Sequence, residues 1–143
     1  MFFAKYNLIR LGLIAAIIVL TNGCSVIPFA DKTGPAIENI TTSSKVLAKS
    51  DCIPTSLTIT AHVTDGSGVA STILWYRVGE DQDFAAAGMT DAEHDQYTTT
   101  VKALDIPGGE YGVFEFYIVA RDHAGNQTET ARDKSVQLLP CVG

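Results

Sequence analysis

Residues Ser56–Thr64 read SLTITAHVT and alternate between apolar and polar side chains. Leucine, isoleucine, alanine and valine take every second position, and threonine or histidine takes the positions between them. This period is that of a β-strand with one buried face, and threonine is a residue that strands favour. The segment therefore predicts a half-buried strand of an antiparallel sheet.

Further segments carry the same signals. The DGSG sequence at 65–68 is typical of a turn, and a more continuously apolar strand begins at Val69. Apolar alternation returns in VFEFYIVARD, residues 113–122. The other predicted strands are Pro35–Thr41, Phe84–Thr90, Tyr97–Val101 and Ser135–Leu139. Seven short strands with no helical period predict an all-β chain, folded as a single seven-stranded antiparallel β-sandwich.

The N-terminus has the layout of an export signal. Lys5 and Arg10 flank the start of an apolar run, Leu11–Leu20, and the short polar stretch Thr21–Gly23 follows it. The run is shorter than the roughly 20 residues that cross a bilayer. A cleaved signal peptide at residues 1–23 is the favoured interpretation, and an uncleaved anchor is the alternative.

The sequence TNGC at 21–24 resembles the lipobox of bacterial lipoproteins, in which a small residue precedes the cysteine that is lipidated and becomes the mature N-terminus. Thr21 departs from the leucine that the family prefers at that position. The resemblance implies acylation of Cys24, a lipidated tether at residues 24–34 and a folded domain at residues 35–143. Cleavage by an ordinary signal peptidase is the alternative.

Charge narrows the choice of partners. The formal net charge is −6, and loss of Lys5 and Arg10 with the signal would make it about −8. Nucleic-acid binding needs a basic surface, and anionic headgroups attract basic rather than acidic segments. We therefore expect no nucleic-acid partner, and attachment to the lipid bilayer only through acylated Cys24. The expected location is extracytoplasmic, at the cell membrane or an outer membrane.

Two segments of the chain, which begin at Val63 and Phe114, resemble a known module. They are VTDGSGVASTILWYRVGE and FEFYIVARDHAGNQTET. They are similar to the immunoglobulin-like and fibronectin type III-like domains of bacterial surface and secreted proteins, and the likeness covers about Gly34 to Pro140. The resemblance implies an immunoglobulin-like sandwich and a surface location. It implies no single activity, because a sandwich hosts many functions.

The cysteines fit an exported protein. If Cys24 carries lipid, Cys52 and Cys141 are left as an even pair, and export places them where disulfides persist. In the topology that the resemblance implies, Cys52 precedes the second strand and Cys141 follows the last, so both lie at one pole. We predict a Cys52–Cys141 disulfide, with two free thiols as the alternative.

Signals of catalysis are weak. Ser67 lies in a GSG turn that no helix follows, so it is not a nucleophile elbow. The three histidines lack the spacing of metal ligands and are expected on the surface: His62, His94 and His123. The acidic turn at 91–95 is expected to be solvated loop charge. We therefore expect no enzymatic activity and no catalytic residue.

One polar group of residues could hold a cation. Asp65 lies in the turn after the second predicted strand, and Asp122 and Asn126 lie in the turn after the sixth, so the implied topology brings them to one pole. Asp31, in the tether, could join them. Converging oxygen ligands suit calcium, whereas Asx-turns that accept backbone hydrogen bonds are the simpler interpretation. Apart from this possible calcium, no cofactor is expected.

The sequence also predicts a binding face. If Leu74 and Phe116 point into the core, alternation turns a set of neighbouring side chains outward on adjacent strands. That set is Ile73, Trp75, Arg77, Glu115, Tyr117 and Val119. An exposed apolar patch of this kind marks an interaction surface. Cross-strand packing or a register slip that buries Trp75 are the alternatives.

Three functional hypotheses follow from these patterns. The first is a lipid-anchored module without catalysis, which binds an envelope protein or acts as a structural spacer. The second is a carbohydrate-binding module, which needs a coplanar aromatic platform. The third is an enzyme, which needs a polar cleft. The first is the favoured prediction.

Overall fold

A computed structural model of the chain describes residues 30–49, 54–109 and 111–140. These residues form ten β-strands, and their one helical element is the 3-10 turn Ala103–Asp105. In chain order the strands are β1 Ala36–Thr42, β2 Val46–Ala48, β3 Ser56–Thr64, β4 Val69–Val78, β5 Ala85–Gly88, β6 Thr90–Asp91, β7 Gln96–Lys102, β8 Gly112–Asp122, β9 Gln127–Glu129 and β10 Asp133–Leu139. The fold class is therefore all-β, as predicted.

The strands form two sheets. The first has four strands in the order β1-β3-β7-β6, and the second has the path β2-β10-β8-β4-β5, with β9 paired to β8. β9 and β10 pair with successive parts of β8, because β9 faces Val119–Arg121 and β10 faces residues nearer the start of β8. All pairs between these strands are antiparallel except β2 with β10, which is parallel.

Both sheets contribute to one apolar core. The predicted alternation of β3 is confirmed, since all four of its apolar side chains are completely buried. The second sheet contributes Leu74 from β4 and Phe114, Phe116 and Ile118 from β8. The largest completely or almost completely buried side chains in this core are Phe114 and Phe116, whose ring centroids lie 5.9 Å apart. The two sheets thus pack their apolar faces together, in a sandwich-like arrangement.

The expectation of seven strands, all antiparallel, is wrong in number and in direction. β2 has only three residues, which is too short for an alternating pattern to show, and it provides the parallel pairing. The predicted strand Phe84–Thr90 is divided at the buried Met89 into β5 and β6, which belong to different sheets. β9 is three residues long and mostly polar, so it has no apolar signal.

Several predicted features lie outside the described residues. They are the signal peptide at residues 1–23 and the three cysteines, Cys24, Cys52 and Cys141. Within the described ranges, no helix has the length and apolar character that crossing a membrane requires.

Candidate functional surfaces

The pairing of β4 with β8 brings the six predicted binding-face residues into directly opposed pairs. The pairs are Ile73 with Val119, Trp75 with Tyr117, and Arg77 with Glu115. The inward set is buried, as the register predicted, since Leu74 is completely buried and Tyr76 is 7% exposed. We call the opposite side of this six-stranded sheet the outer face. Trp75 is half-buried there rather than fully exposed.

The aromatic rings of the outer face contact one another, and two arginine side chains lie over ring faces. Trp75 and Tyr117 are nearly parallel, with centroids 6.3 Å apart and an interplanar angle of 9°. Phe84 meets Tyr117 edge-on at 5.0 Å. The Arg132 guanidinium lies 5.0 Å from the Tyr117 centroid and 4.8 Å from that of Phe84, and Arg77 lies 4.5 Å from Phe84. Tyr117 is therefore flanked by Trp75, Phe84 and Arg132 and is half-buried, and Trp75 stands at the end of the stack.

Glu115 lies beneath this stack and is only 4% exposed, although the sequence placed it at the edge of an exposed patch. Arg77 donates to its Oε2 from Nε at 2.8 Å and contacts the same oxygen through Nη2 at 2.7 Å. Arg132 and Lys134 approach Oε1 at 3.6 Å and 3.9 Å. Burial raises the pKa of Glu115, but the hydrogen bond and charge of Arg77, helped by the other two cations, lower it further, so the net shift is downward.

Sequence reasoning missed three members of this cluster: Phe84, Arg132 and Lys134. Arg132 and Lys134 are two residues apart, and this spacing places them on one side of an extended chain. This spacing was the signal in the sequence that could have indicated a pair of cations on one face of the sheet. Their proximity to Glu115 depends on the pairing of β10 with β8, which no local pattern reveals.

A groove of about 440 Å³ lies on the outer face beside Trp75. Half-buried apolar and aromatic side chains line it together with exposed polar ones; the first set is Ile73, Trp75, Tyr117 and Val119, and the second includes Arg121 and Glu129. A mixture of apolar and polar lining residues is the arrangement found in binding sites. The arrangement could accept an apolar or aromatic group with polar neighbours.

The predicted convergence of acidic residues at one pole is observed. Carboxylate oxygens of Asp31, Asp65 and Asp122 all lie within 4.8 Å of one another. Asp122 is 2% exposed, and the other two are half-buried. We call these three residues, together with Asn126, the acidic pole.

Hydrogen-bond donors hold the carboxylates of the acidic pole. Asn126 donates its backbone N–H to Asp122 Oδ1 and its Nδ2 to Asp122 Oδ2, both at 2.7 Å. Ser67 donates its N–H and its hydroxyl to Asp65 Oδ1, at 2.8 Å and 2.7 Å. Thr33 N–H donates to Asp31 Oδ1 at 2.9 Å. These are the Asx-turns that the sequence offered as the simpler interpretation.

The amide nitrogen of Asn126 also donates to two backbone oxygens, Asp31 O at 3.1 Å and Thr33 O at 3.2 Å. With the bond to Asp122 Oδ2, three acceptors therefore converge on this one amide nitrogen. In this arrangement Asn126 turns its nitrogen, not its oxygen, toward the group, so it is not placed as a metal ligand. The same contacts fasten the segment before β1 to the turn between β8 and β9.

The donors of the acidic pole keep its carboxylates ionised. Burial raises the pKa of Asp122, but hydrogen bonds from the side chain and backbone of Asn126 and from the N–H groups of Gly125 and Ala124 lower it more. The hydrogen bonds from Thr33 lower the pKa of Asp31, against smaller opposing contributions from burial and the charge of Asp122. In the described part of the chain, no cationic side chain forms an ion pair with any of these three carboxylates.

The residues that were set aside as catalytic candidates lie in three different settings. His62 is half-buried on β3 opposite Gln96, and His94 is exposed in the turn before β7, with a positive φ of 53°. His123 lies against Gly68, where a Cβ would come within 3.2 Å of the imidazole. The hydroxyl of Ser67 is occupied by Asp65.

Comparison of the chain with protein-family models and with curated proteins finds no match to either.

Proposed function

We propose that this chain is a lipid-anchored, extracytoplasmic immunoglobulin-like module that binds a protein partner through its outer face, without catalysis. The strand order supports the immunoglobulin-like assignment. In the first sheet, β1-β3-β7-β6 corresponds to the A-B-E-D order, and β10-β8-β4 in the second corresponds to G-F-C. β5 corresponds to the extra strand that variable-type domains add beside C. The parallel pairing of β2 is an addition to this scheme.

Anchoring through Cys24 is supported by the lipobox-like sequence and by the position of the tether. Asn126 fastens Asp31 and Thr33 to the domain, so the free length between Cys24 and the domain is shorter than residues 24–34. Six residues lie between Cys24 and Asp31, and the seven steps that join the two extend at most about 25 Å. The acidic pole would therefore face the membrane at short range.

The observation that carries the binding proposal is the groove beside Trp75. Trp75 ends the aromatic stack, so only one of its ring faces is engaged by Tyr117. Trp75 lines this groove together with the apolar Ile73 and Val119 and the charged Arg121 and Glu129. Tryptophan at the centre of such a surface commonly dominates the energy of a protein interface.

A carbohydrate-binding module is the alternative. Its aromatic platform would need rings that lie side by side with their faces open. Trp75 and Tyr117 instead stack on each other, and Phe84 and Arg132 cover Tyr117. The geometry therefore favours a protein partner over a glycan.

The test compares matched variants in capture from solubilised membranes of the source cells. Trp75→Ala should abolish the capture of specific proteins, while Lys102→Ala, an exposed change on the other sheet, should leave it intact. Equal capture by both variants would contradict the proposal. Retention of wild-type protein on a polysaccharide column, lost in Trp75→Ala, would instead establish the carbohydrate alternative.

A further inference from the structure

β5 forms one edge of the six-stranded sheet, because it pairs with β4 and with no other strand of the described chain. Met89 N–H donates to Thr72 O at 2.9 Å. Pairs alternate along an antiparallel ladder between hydrogen-bonded and non-hydrogen-bonded. The pairs of Ile73 with Gly88 and of Trp75 with Ala86 are therefore non-hydrogen-bonded. The backbone N–H and C=O groups of Ala86 and Gly88 consequently point away from β4, toward the open edge.

This edge lacks most of the usual protections against strand addition. Natural edges are shortened, bulged, or marked with charged residues or proline. β1 has a register shift between Glu38 and Thr41, and β2 and β6 have three and two residues. β5 is also short, at four residues, but its sequence AAAG has no charge and no proline, and its register against β4 is regular. Its edge is therefore open to a further strand.

Gly88 is not explained by the fold. It does not have a positive φ, and a Cβ built at this position would meet nothing within 4 Å. Gly88 is the last residue of β5, and glycine in a strand often marks a place where another backbone approaches closely. Since no described residue approaches this position, the absence of a side chain leaves room for an external strand.

Trp75 adds a side-chain site to this edge. Its cross-strand neighbour on β5 is Ala86, and Gly88 lies opposite Ile73. Ala86 and Gly88 are both exposed on the outer face. One ring face of Trp75 is stacked on Tyr117, and the residues opposite Trp75 and Ile73 on β5 are these two small ones. An apolar side chain of an added strand would fit over them, against Trp75.

The charged residues near β5 indicate whether an added strand comes from a second copy of this chain or from another protein. Asp81 and Asp83 precede β5, and Asp91 follows it in β6; all three are exposed and form no ion pair among the described residues. Antiparallel pairing of two β5 edges would bring the acidic residues before one edge close to those after the other. Self-pairing is therefore opposed by like charge, and a strand with basic flanks is favoured.

We propose that β5 is a docking edge for an extended peptide segment of another protein, with an apolar centre and lysine or arginine at its flanks. The segment pairs with the free backbone groups of Ala86 and Gly88, and one of its apolar side chains packs on Trp75. Main-chain bonds give affinity in this mode of recognition, and alternate side chains give specificity. This inference rests on the proposed protein-binding role and names the chemistry of the partner.

The experiment selects a phage-displayed library of random linear peptides on the full chain in detergent. Enriched peptides should alternate apolar residues and carry basic flanks. Gly88→Lys leaves the backbone N–H and C=O groups of β5 in place but adds bulk and positive charge at the edge. It should therefore weaken peptide binding at least about tenfold. Gly66→Lys is the matched control, since that glycine also has open space and no positive φ, and it should bind as the wild type does.

The bound peptide should also slow hydrogen exchange at the amides of Ala86 and Gly88, a readout that does not depend on any substitution. Absence of enriched peptides, enrichment of acidic ones, or unchanged exchange at both amides would overturn the inference. Peptides that lose binding with Trp75→Ala but keep it with Gly88→Lys would overturn the edge while leaving the binding face in place. Peptides that are indifferent to both variants would contradict both proposals.

Discussion

Glu115 and Asp122 are both buried carboxylates of β8 with lowered pKa values, but different groups hold them. Glu115 is 4% exposed and is held by the charges of Arg77, Arg132 and Lys134. Asp122 is 2% exposed and is held by neutral N–H donors, chiefly those of Asn126. Glu115 is held in its ionised form by side chains from three separate parts of the chain, whereas Asp122 is held by donors of one short turn.

The difference explains what each carboxylate does for the fold. The Asp122 turn is local, so it fixes the path of the chain between β8 and β9 and holds the segment before β1. The Glu115 cluster joins β4, β8 and the start of β10, and it supports the aromatic stack beside the proposed binding groove. Substitutions in the two regions should therefore differ in how much stability they remove, in how that loss depends on pH, and in how it responds to salt and calcium.

The largest effect is expected from Arg77→Met. The substitution leaves Glu115 buried without its closest partner, and loss of one member of a buried ion pair costs about 3–5 kcal/mol. Because Arg132 and Lys134 stay near Oε1, we expect the lower end, about 3 kcal/mol. Urea denaturation of the variant and wild type measures the difference.

A second substitution tests the cause. In the double variant Arg77→Met with Glu115→Leu, no buried charge is left, so stability should recover in part. Arg121→Met is the control, because Arg121 is exposed and, among the described residues, its side chain bonds Gln127 alone; the change should alter stability by less than about 0.5 kcal/mol. A double variant less stable than Arg77→Met alone would argue against an uncompensated Glu115.

A smaller loss is expected from Asn126→Ala. The change removes the donor that joins Asp122 to Asp31 O and Thr33 O, and the melting temperature should fall by about 5–10 °C. Gln127→Ala is the control at the neighbouring position, and its melting temperature should fall by much less. Limited proteolysis should also cut the segment before β1 faster in Asn126→Ala. A variant that melts like the control would show that the Asn126 bonds contribute little.

Acid should weaken both regions. Carboxylates with lowered native pKa values stabilise the fold above their unfolded values, and this stability is lost as pH falls through the native values. The ordinary values are 4.5 for Glu115 and 3.8 for Asp31 and Asp122. The urea midpoint should therefore change little between pH 7 and about pH 5, then decline below about pH 4.5.

The slope of that decline distinguishes the regions. Asn126→Ala should make it shallower, because Asp122 loses the side-chain hydrogen bond that does most to lower its pKa, while the backbone donors remain. Added salt should reduce the contribution of the Glu115 ion pairs more than that of the Asp122 hydrogen bonds. If the urea midpoint of Asn126→Ala declined at acid pH with the same slope as that of the wild type, the role given to the turn would be contradicted.

The smallest effect is expected from calcium. Donors already occupy the acidic pole, with the Asn126 amide at the point where its acceptors meet. Millimolar calcium should leave the melting temperature unchanged, with magnesium as the control. A rise with calcium alone, lost in Asp65→Asn, would restore the cation interpretation that the sequence kept open.

The same comparison shows what the sequence could predict. The acidic pole was predictable because Asp122 and Asn126 lie within one short motif, and strand topology supplied Asp65. The outward pairs of β4 and β8 were predictable because alternation fixes which side chains share a face. The burial of Glu115 was not, since it depends on Phe84, Arg132 and Lys134, which come from distant parts of the chain. The three-residue strands β2 and β9 were missed because so few residues carry no period.

The most direct test of the central claim places a photo-crosslinking amino acid on the outer face in living cells. Ser71 is exposed at the edge of the groove, and Thr100 is exposed on the other sheet, so each can be replaced by benzoylphenylalanine. We predict a discrete crosslinked protein from position 71 and none from position 100. Crosslinks of equal yield at both positions, or from position 100 alone, would contradict the assignment of the outer face as the binding surface.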